Sequence, residues 1–454
     1  MTIKKIKSID ELVAESTKML TNPETAGKGF QRLQVLEEKG SVQAACVLAL
    51  ALTRGDGTKE DPNLAFAIIN KYAKSDNPDV NYIIGTFYEN GIGTKKDVDH
   101  AIFCYRMATN YDFVPAYIAL ARCYREGIGV EKSLQHAFAM TMMAANLGHA
   151  DSMYNVALHY LNGWSVEKDR DEGRKWILKA SDAGSLAASV LWGNFCINAE
   201  DYENAVKYFT RAAEKDNPHA LYVLHQCYRD GLGIKQDREK AFSLCSKAAE
   251  LGDIDALSDM GIWFEYGYNT IKQNYPEALK WYLKAGEAGN PTGWLNAGYA
   301  YINGRGTKQN DDKAYECFKK AADMGDAGGI CSVGWCYRDG TGVKKDLSTA
   351  FKYLCTAAFF GDGDAMDSVG YAYENGEGVD KDEKMGFRFY MKAAEKGVPN
   401  AMCNVAECYL LGTGVEKDIE EAQFWYARAE KTDCKGFDRL KKLLDKELKK
   451  IHKK

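Results

Sequence analysis

The fold of this 454-residue chain turns on three near-copies: CYREGIGVEKS at 123–133, CYRDGLGIKQD at 227–237 and CYRDGTGVKKD at 336–346. Each carries Gly-x-Gly among charges, a composition common to loops that cradle phosphate and to glycines that end helices. Spacing separates these meanings. The first glycine recurs at Gly55, Gly91, Gly127, Gly163, Gly231, Gly267, Gly304, Gly340, Gly376 and Gly412, 36 residues apart with two exceptions. The step after Gly267 is 37, which places an inserted residue in YNTIKQNYP. The step from Gly163 to Gly231 is 68, which leaves room for a unit without the loop, LWGNFCINAEDYENAVKYFTRAAEKD. That makes eleven units, and a fixed period of this length is the signature of a stacked repeat.

Inside a unit the pattern is constant. A small residue stands six before the glycine (Gly85, Ala121, Gly298, Gly370) and an aromatic three before it (Tyr88, Tyr124, Tyr301, Tyr373). Such spacing marks one face of a helix, here helix A, which the glycine ends in a left-handed C-cap. Six residues on, an N-cap opens helix B: Asp61, Asp97, Ser133, Asp169, Asp237, Asn310, Asp346, Asp382 and Asp418, with Asn274 after the insertion and Asp201 in the short unit. Pro62 follows Asp61 at the first helical position. Helix B carries aromatics and ends near an Ala-Ala pair followed by Gly, as in AFSLCSKAAELG. No single pair buries both apolar faces, so neighbours must stack. The expected fold is an all-α, right-handed superhelical solenoid of about eleven helix-turn-helix repeats.

The consensus A…LG..Y..G.GV..D...A..WY.KAAE.G resembles the Sel-one-like repeat (SLR) family, a branch of the tetratricopeptide-like solenoids, over roughly Gly40 to Lys431. The resemblance implies an adaptor: relatives include subunits of endoplasmic-reticulum degradation ligases, activators of chitin synthase and bacterial proteins that bind other proteins. The secreted cysteine-rich branch, with a Cys pair in every repeat, is not matched. The expected organisation is an N-terminal helical cap at 1–39, repeats at 40–430 with the fifth, loop-less one at 187–220, and a basic capping helix at 431–454. In that last segment Phe437, Leu440, Leu444, Leu448 and Ile451 form one apolar stripe. Its basic face is alternatively a contact for an acidic partner, an anionic lipid or an import receptor.

Composition excludes several classes. There is no apolar leader and no run of 18 uncharged apolar residues, so membrane insertion is not expected. The formal net charge is −5, and residues from Lys435 onward hold nine Lys/Arg against three Asp/Glu, leaving −11 on the body. An acidic body argues against nucleic acid. Thirteen cysteines at irregular positions read as reduced thiols filling small apolar sites, in a cytoplasmic, reducing setting.

No catalytic, cofactor or metal-ligating set emerges. The glycine loops lack the GK[ST] continuation and follow helices, not strands. There is no H-E-x-x-H, no Cys-x-x-Cys and no G-x-S-x-G; Cys123, Cys227, Cys336 and Cys408 share one repeat position, and stacked units put equivalent atoms about 10 Å apart on helix-packing distances, too far to share an ion. We expect a non-enzyme with a protein partner. Residues that recur in every unit serve packing, so binding belongs to positions that vary on the concave side. Eight and five residues before the glycine these are Asn155, Asp259, Asn296, Tyr299, Ser332, Trp335, Ser368, Tyr371, Asn404 and Glu407. In similar solenoids an inner-helix Asn often clamps the backbone of an extended peptide, and the aromatics offer stacking area; the same rings would equally pack between neighbouring helices. Arg125, Arg229 and Arg338 are left as surface-contact candidates. The alternatives are a regulatory subunit engaging a folded partner by its convex face or basic tail and, remotely, a hydrolase.

Overall fold

The computed structural model describes residues 8–268, 271–432 and 437–451. Among them the regular structure is helical, apart from one isolated bridge between Tyr268 and Ile271. The chain divides into two compact units, residues 1–215 and 216–454. The first holds α1 (Ile9–Leu20), α2 (Ala26–Glu38), α3 (Val42–Arg54), α4 (Pro62–Asn70), α5 (Pro78–Asn90), α6 (Val98–Thr109), α7 (Val114–Glu126), α8 (Leu134–Asn146), α9 (Ala150–Asn162), α10 (Arg170–Asp182), α11 (Leu186–Asn198) and α12 (Tyr202–Ala213). The second holds α13 (Pro218–Asp230), α14 (Arg238–Glu250), α15 (Ile254–Tyr266), α16 (Tyr275–Glu287), α17 (Pro291–Asn303), α18 (Asp311–Asp323), α19 (Ala327–Asp339), α20 (Leu347–Phe359), α21 (Gly363–Asn375), α22 (Glu383–Glu395), α23 (Pro399–Leu411), α24 (Ile419–Ala429) and α25 (Phe437–Ile451). From α3 to α24, odd numbers are helix A and even numbers helix B of successive repeats, and within each unit every helix packs on the next.

The hinge between A and B follows from its residues. All eleven expected N-caps accept a backbone N–H of helix B, Asp97 from His100 and Asn274 from Glu277 among them. The cap residue's own N–H closes the loop on the carbonyl three residues before the glycine, as Asp346 does on Tyr337 at 2.9 Å. Nine of the ten first glycines adopt the left-handed C-cap; Gly376, at φ 72°, is typical. Gly267 differs, with φ 64° and ψ 142°, because the longer loop leaves the helix there. Asn269 and Thr270 of that loop lie outside the described residues. In the loop-less repeat the turn is Ala199-Glu200-Asp201, and Glu200 takes the left-handed conformation at φ 59°.

The second glycine has a different task. A Cβ on Gly378 would lie 2.0 Å from the Leu347 carbonyl oxygen, and one on Gly93 1.9 Å from that of Pro62. These carbonyls belong to the first turn of the preceding helix B, so this glycine lets each loop rest on its neighbour repeat. In the fourth unit Ser165 replaces it, and its Oγ donates to the Leu134 carbonyl at 3.3 Å.

The core is built from small residues of A facing large residues of B. Gly85 meets Tyr105, Gly261 meets Tyr282, Gly298 meets Phe318 and Gly370 meets Tyr390, and a Cβ at any of these glycines would sit 2.3–2.7 Å from the ring. The aromatic three before each loop glycine packs against rings of helix B: Tyr373 takes Phe351 edge-on and stacks on Phe389. Among the described residues eleven cysteines are free thiols and ten of them are buried. Burial pushes Cys104 and Cys336 up to about 11 and Cys408 to about 12, so they remain protonated filler. Cys403 departs from the uniform reduced-thiol expectation: it is disulfide-bonded. Leu440 and Leu444 of α25 bury against the last repeat as the capping stripe requires; the side chains of Leu448 and Ile451 lie outside the description.

Candidate functional site

The variable A-helix positions of the second unit form a connected series. At two steps a residue five before one loop glycine meets the residue eight before the next, because helix A of each repeat lies beside helix A of its neighbour. Ser332 donates its hydroxyl hydrogen to the Gly328 carbonyl at 2.8 Å, so the Tyr299 hydroxyl donates to Ser332 Oγ at 3.1 Å. One repeat on, Trp335 Nε1 donates to Ser368 Oγ at 3.0 Å. Asp259 accepts from Arg229 Nη1 at 3.3 Å and lies 3.2 Å from His225 Nε2. Glu407 accepts from Arg439 of α25 at 2.5 Å. Asn404 donates to Asp367 Oδ1 at 2.8 Å.

Ser332 is therefore buried, whereas Tyr299 and Tyr371 keep 37% and 44% exposure and Trp335 is half-buried. Asn296 is half-buried and lies one helical turn before Tyr299 on α17. Asn155 is exposed and belongs to the first unit, apart from this series. The three arginines are each engaged by the following acidic residue: Arg125 donates to Glu126 at 3.0 Å, Arg229 to Asp230 through two nitrogens, and Arg338 to Asp339 at 2.8 and 2.9 Å.

Charge on this face is one-sided. The six A helices of the second unit hold nine carboxylates and two guanidiniums, Arg229 and Arg338, and no lysine. Helix B carries the lysines. Glu265 is met by Arg305 and by the hydroxyl of Tyr282, both at 2.6 Å. Asp364, Asp367 and Glu374, all on α21, form no ion pair among the described residues; Glu374 accepts from Tyr390 at 2.8 Å. Burial, reinforced by Asp364 and Glu374, holds the Asp367 carboxyl up to about 6 despite the bond from Asn404.

Two features escaped the sequence reading. Asp367 lies nine before its glycine, where every other repeat with a loop from Tyr82 onward places an uncharged residue; that exception was visible. The Tyr-to-Glu bridge recurs as Tyr105–Glu89, Tyr282–Glu265 and Tyr390–Glu374, and its signal was a Glu two before the glycine paired with a Tyr late in helix B. Among the described residues no group of three His, Cys, Asp or Glu could hold a metal ion, and no helix is long and apolar enough to cross a membrane.

A profile of the Sel1 repeat matches eleven segments of the chain: 42–76, 78–110, 114–149, 150–185, 188–217, 218–253, 254–290, 295–326, 329–358, 363–398 and 399–431. A protective antigen present in uropathogenic Escherichia coli strains and displaying an SLR fold superposes with a TM-score of 0.81 and 26% identity, over 93% of this chain and 90% of that one. A Sel1 repeat protein from Oxalobacter formigenes is 31% identical, with a TM-score of 0.51, over 54% of this chain and 98% of its own. An ERAD-associated E3 ubiquitin-protein ligase component of Arabidopsis thaliana is 32% identical over 97 residues, 21% of this chain and 15% of that protein. Chitin synthase regulatory factor 3 of Schizosaccharomyces pombe is 27% identical over 91 residues, 20% of this chain and 10% of that protein. The matches thus span under a sixth of the length of these two curated relatives. Sel1-repeat proteins are in general protein-interaction scaffolds and typically not enzymes. With matches running from residue 42 to 431 and α-helical pairs in every matched segment, this chain is a member of the Sel1-repeat family.

Proposed function

We propose that this chain is a non-enzymatic scaffold that binds a protein partner, and that the A-helix face of its second unit takes an extended, cation-bearing segment of that partner. The observation that carries the reading is the series Tyr299, Trp335 and Tyr371: partly exposed aromatic rings in three consecutive repeats, the last on the same helix as Asp364 and Asp367, which form no ion pair among the described residues. Aromatic rings give contact area at low entropic cost and attract Lys and Arg over their faces. The absence of lysine from all six A helices favours a basic ligand over an acidic one. Asn296 has an amide suited to pair with a peptide backbone.

Because Tyr299 and Trp335 also link adjacent repeats, the test must separate folding from binding. Affinity purification with mass spectrometry would compare wild type with the Trp335→Ala/Tyr371→Ala double variant, checked for retained helicity. Partners lost by the folded double variant support the proposal; an unchanged partner set refutes it.

A further inference from the structure

Each repeat pairs one position of helix A, six before the glycine or its equivalent, with one position of helix B, four after its first small residue. Sizes compensate in ten of the eleven pairs. Where A supplies glycine, at Gly85, Gly193, Gly261, Gly298, Gly334 and Gly370, B answers with Tyr, Phe or Leu that fills the gap. Where A supplies alanine, the matching position of B holds Ile69, Ile177 or Tyr426, and where A holds the bulky His225 the matching position holds the small Cys245. Nine of these B residues are 2% exposed or less. The third repeat breaks the rule, since Ala121 faces Thr141 and both are half-buried.

The shortfall leaves space. Two hollows of about 430 and 320 Å³ flank the pair, and both are lined by Ala121, Arg125, Thr141 and Asn155. The smaller continues between Leu158 and Trp164. Packed interiors leave few voids larger than a water molecule, so two hollows beside one helix pair mark an exception. Thr141 spends its hydroxyl hydrogen on the Ala137 carbonyl at 2.9 Å, while His159 lines the smaller hollow with a buried Nδ1 that has no hydrogen-bond partner among the described residues. Burial lowers the affinity of His159 for a proton, so it meets a ligand as a neutral ring. At the mouth, Glu89 is neutralised by Arg122 at 2.6 Å and tied to Tyr105, which leaves Arg125 with Glu126 alone, an exposed pairing of little strength. Arg125 is thus the guanidinium of the mouth whose carboxylate partner is itself exposed, so it is the one free to exchange that partner for another carboxylate.

We propose that the Ala121/Thr141 hollow is a pocket for the aromatic ring of a tyrosine or phenylalanine supplied by a partner protein, within an acidic segment whose carboxylates meet Arg125. The ring replaces the one that helix B supplies in sister repeats. The site lies wholly in the first unit and stands or falls independently of the second-unit face.

The test uses the full chain and a fluorotyrosine peptide, Asp-Asp-Tyr-Asp-Asp, observed by fluorine NMR. Wild type should broaden the peptide signal, and an Ala-centred peptide bearing a terminal fluorine tag should stay sharp. Thr141→Ile recreates the Ala/Ile pairs of the first and fourth repeats, so it should abolish the broadening while its melting temperature stays at or above wild type. Leu158→Trp blocks the hollow from the other wall and should act alike if Thr141→Ile folds poorly. Arg125→Glu should weaken binding of the acidic peptide. A peptide left sharp by wild type overturns the proposal, as does equal broadening by folded Thr141→Ile and Leu158→Trp.

Discussion

Asp367→Asn isolates the one carboxyl that the second-unit face holds far from its ordinary range. The Asp367 pKa stands at about 6 against an ordinary 3.8, chiefly through burial, with Asp364 and Glu374 adding repulsion. Burial disfavours the charged form, so the folded state keeps the proton longer than the unfolded chain. Stability from this group is thus fully present below pH 4 and falls as pH rises through the interval to about 6, where the unfolded chain has ionised first. The difference corresponds to about 3 kcal/mol at pH 7. Asparagine keeps an oxygen for the Asn404 amide and cannot ionise. Urea unfolding of both proteins from pH 3.5 to 7.5, followed through a probe in the second unit, should show the variant gaining about 3 kcal/mol on wild type as pH rises, and no such gain at the acid end. A flat difference curve would refute the burial argument. A basic peptide on this face should draw the same carboxyl down, so its affinity should rise between pH 5 and 7 for wild type and less so for Asp367→Asn.

Further expectations are local. Gly378→Ala pushes a Cβ to within 2.0 Å of the Leu347 carbonyl and should lower the melting temperature well beyond Gly397→Ala, whose site is open and costs only the left-handed penalty of about 1 kcal/mol. Tyr390→Phe leaves Glu374 without its hydroxyl donor and should cost about 1–3 kcal/mol in chemical denaturation. Asp382→Ala removes the cap that Met385 N–H uses and should cost about 1 kcal/mol, with helicity lost first in that repeat by hydrogen exchange.

What a single sequence discloses here is the part of the physics that repeats. Caps, C-cap glycines and the small-to-large pairing between helices are local or recur every 36 residues, so periodicity exposes them. Contacts between repeats are less visible. The second glycine is shaped by a carbonyl some thirty residues earlier, as Gly378 is by Leu347, and a Gly-x-Gly string does not announce that partner. The linking of Tyr299 to Ser332 and of Trp335 to Ser368 likewise depends on how one helix A lies on the next. Arg229 and Arg338 have their acidic partners one residue away, a pairing the Arg-Asp dipeptide did carry. The undersized Ala121/Thr141 pair was also legible, since aligning the eleven units shows it; its meaning needed the hollow.

The central claim, that the second-unit A-helix face binds a cation-bearing extended segment, is tested most directly by selecting peptides from a display library on the full chain. The affinity of the best peptide would then be measured for wild type and for folded Trp335→Ala/Tyr371→Ala. The account predicts Lys/Arg-rich sequences and an affinity at least tenfold lower for the double variant, as expected for loss of aromatic anchors at about 1.4 kcal/mol or more. Acidic or uncharged selections, or equal affinity for both proteins, would contradict it.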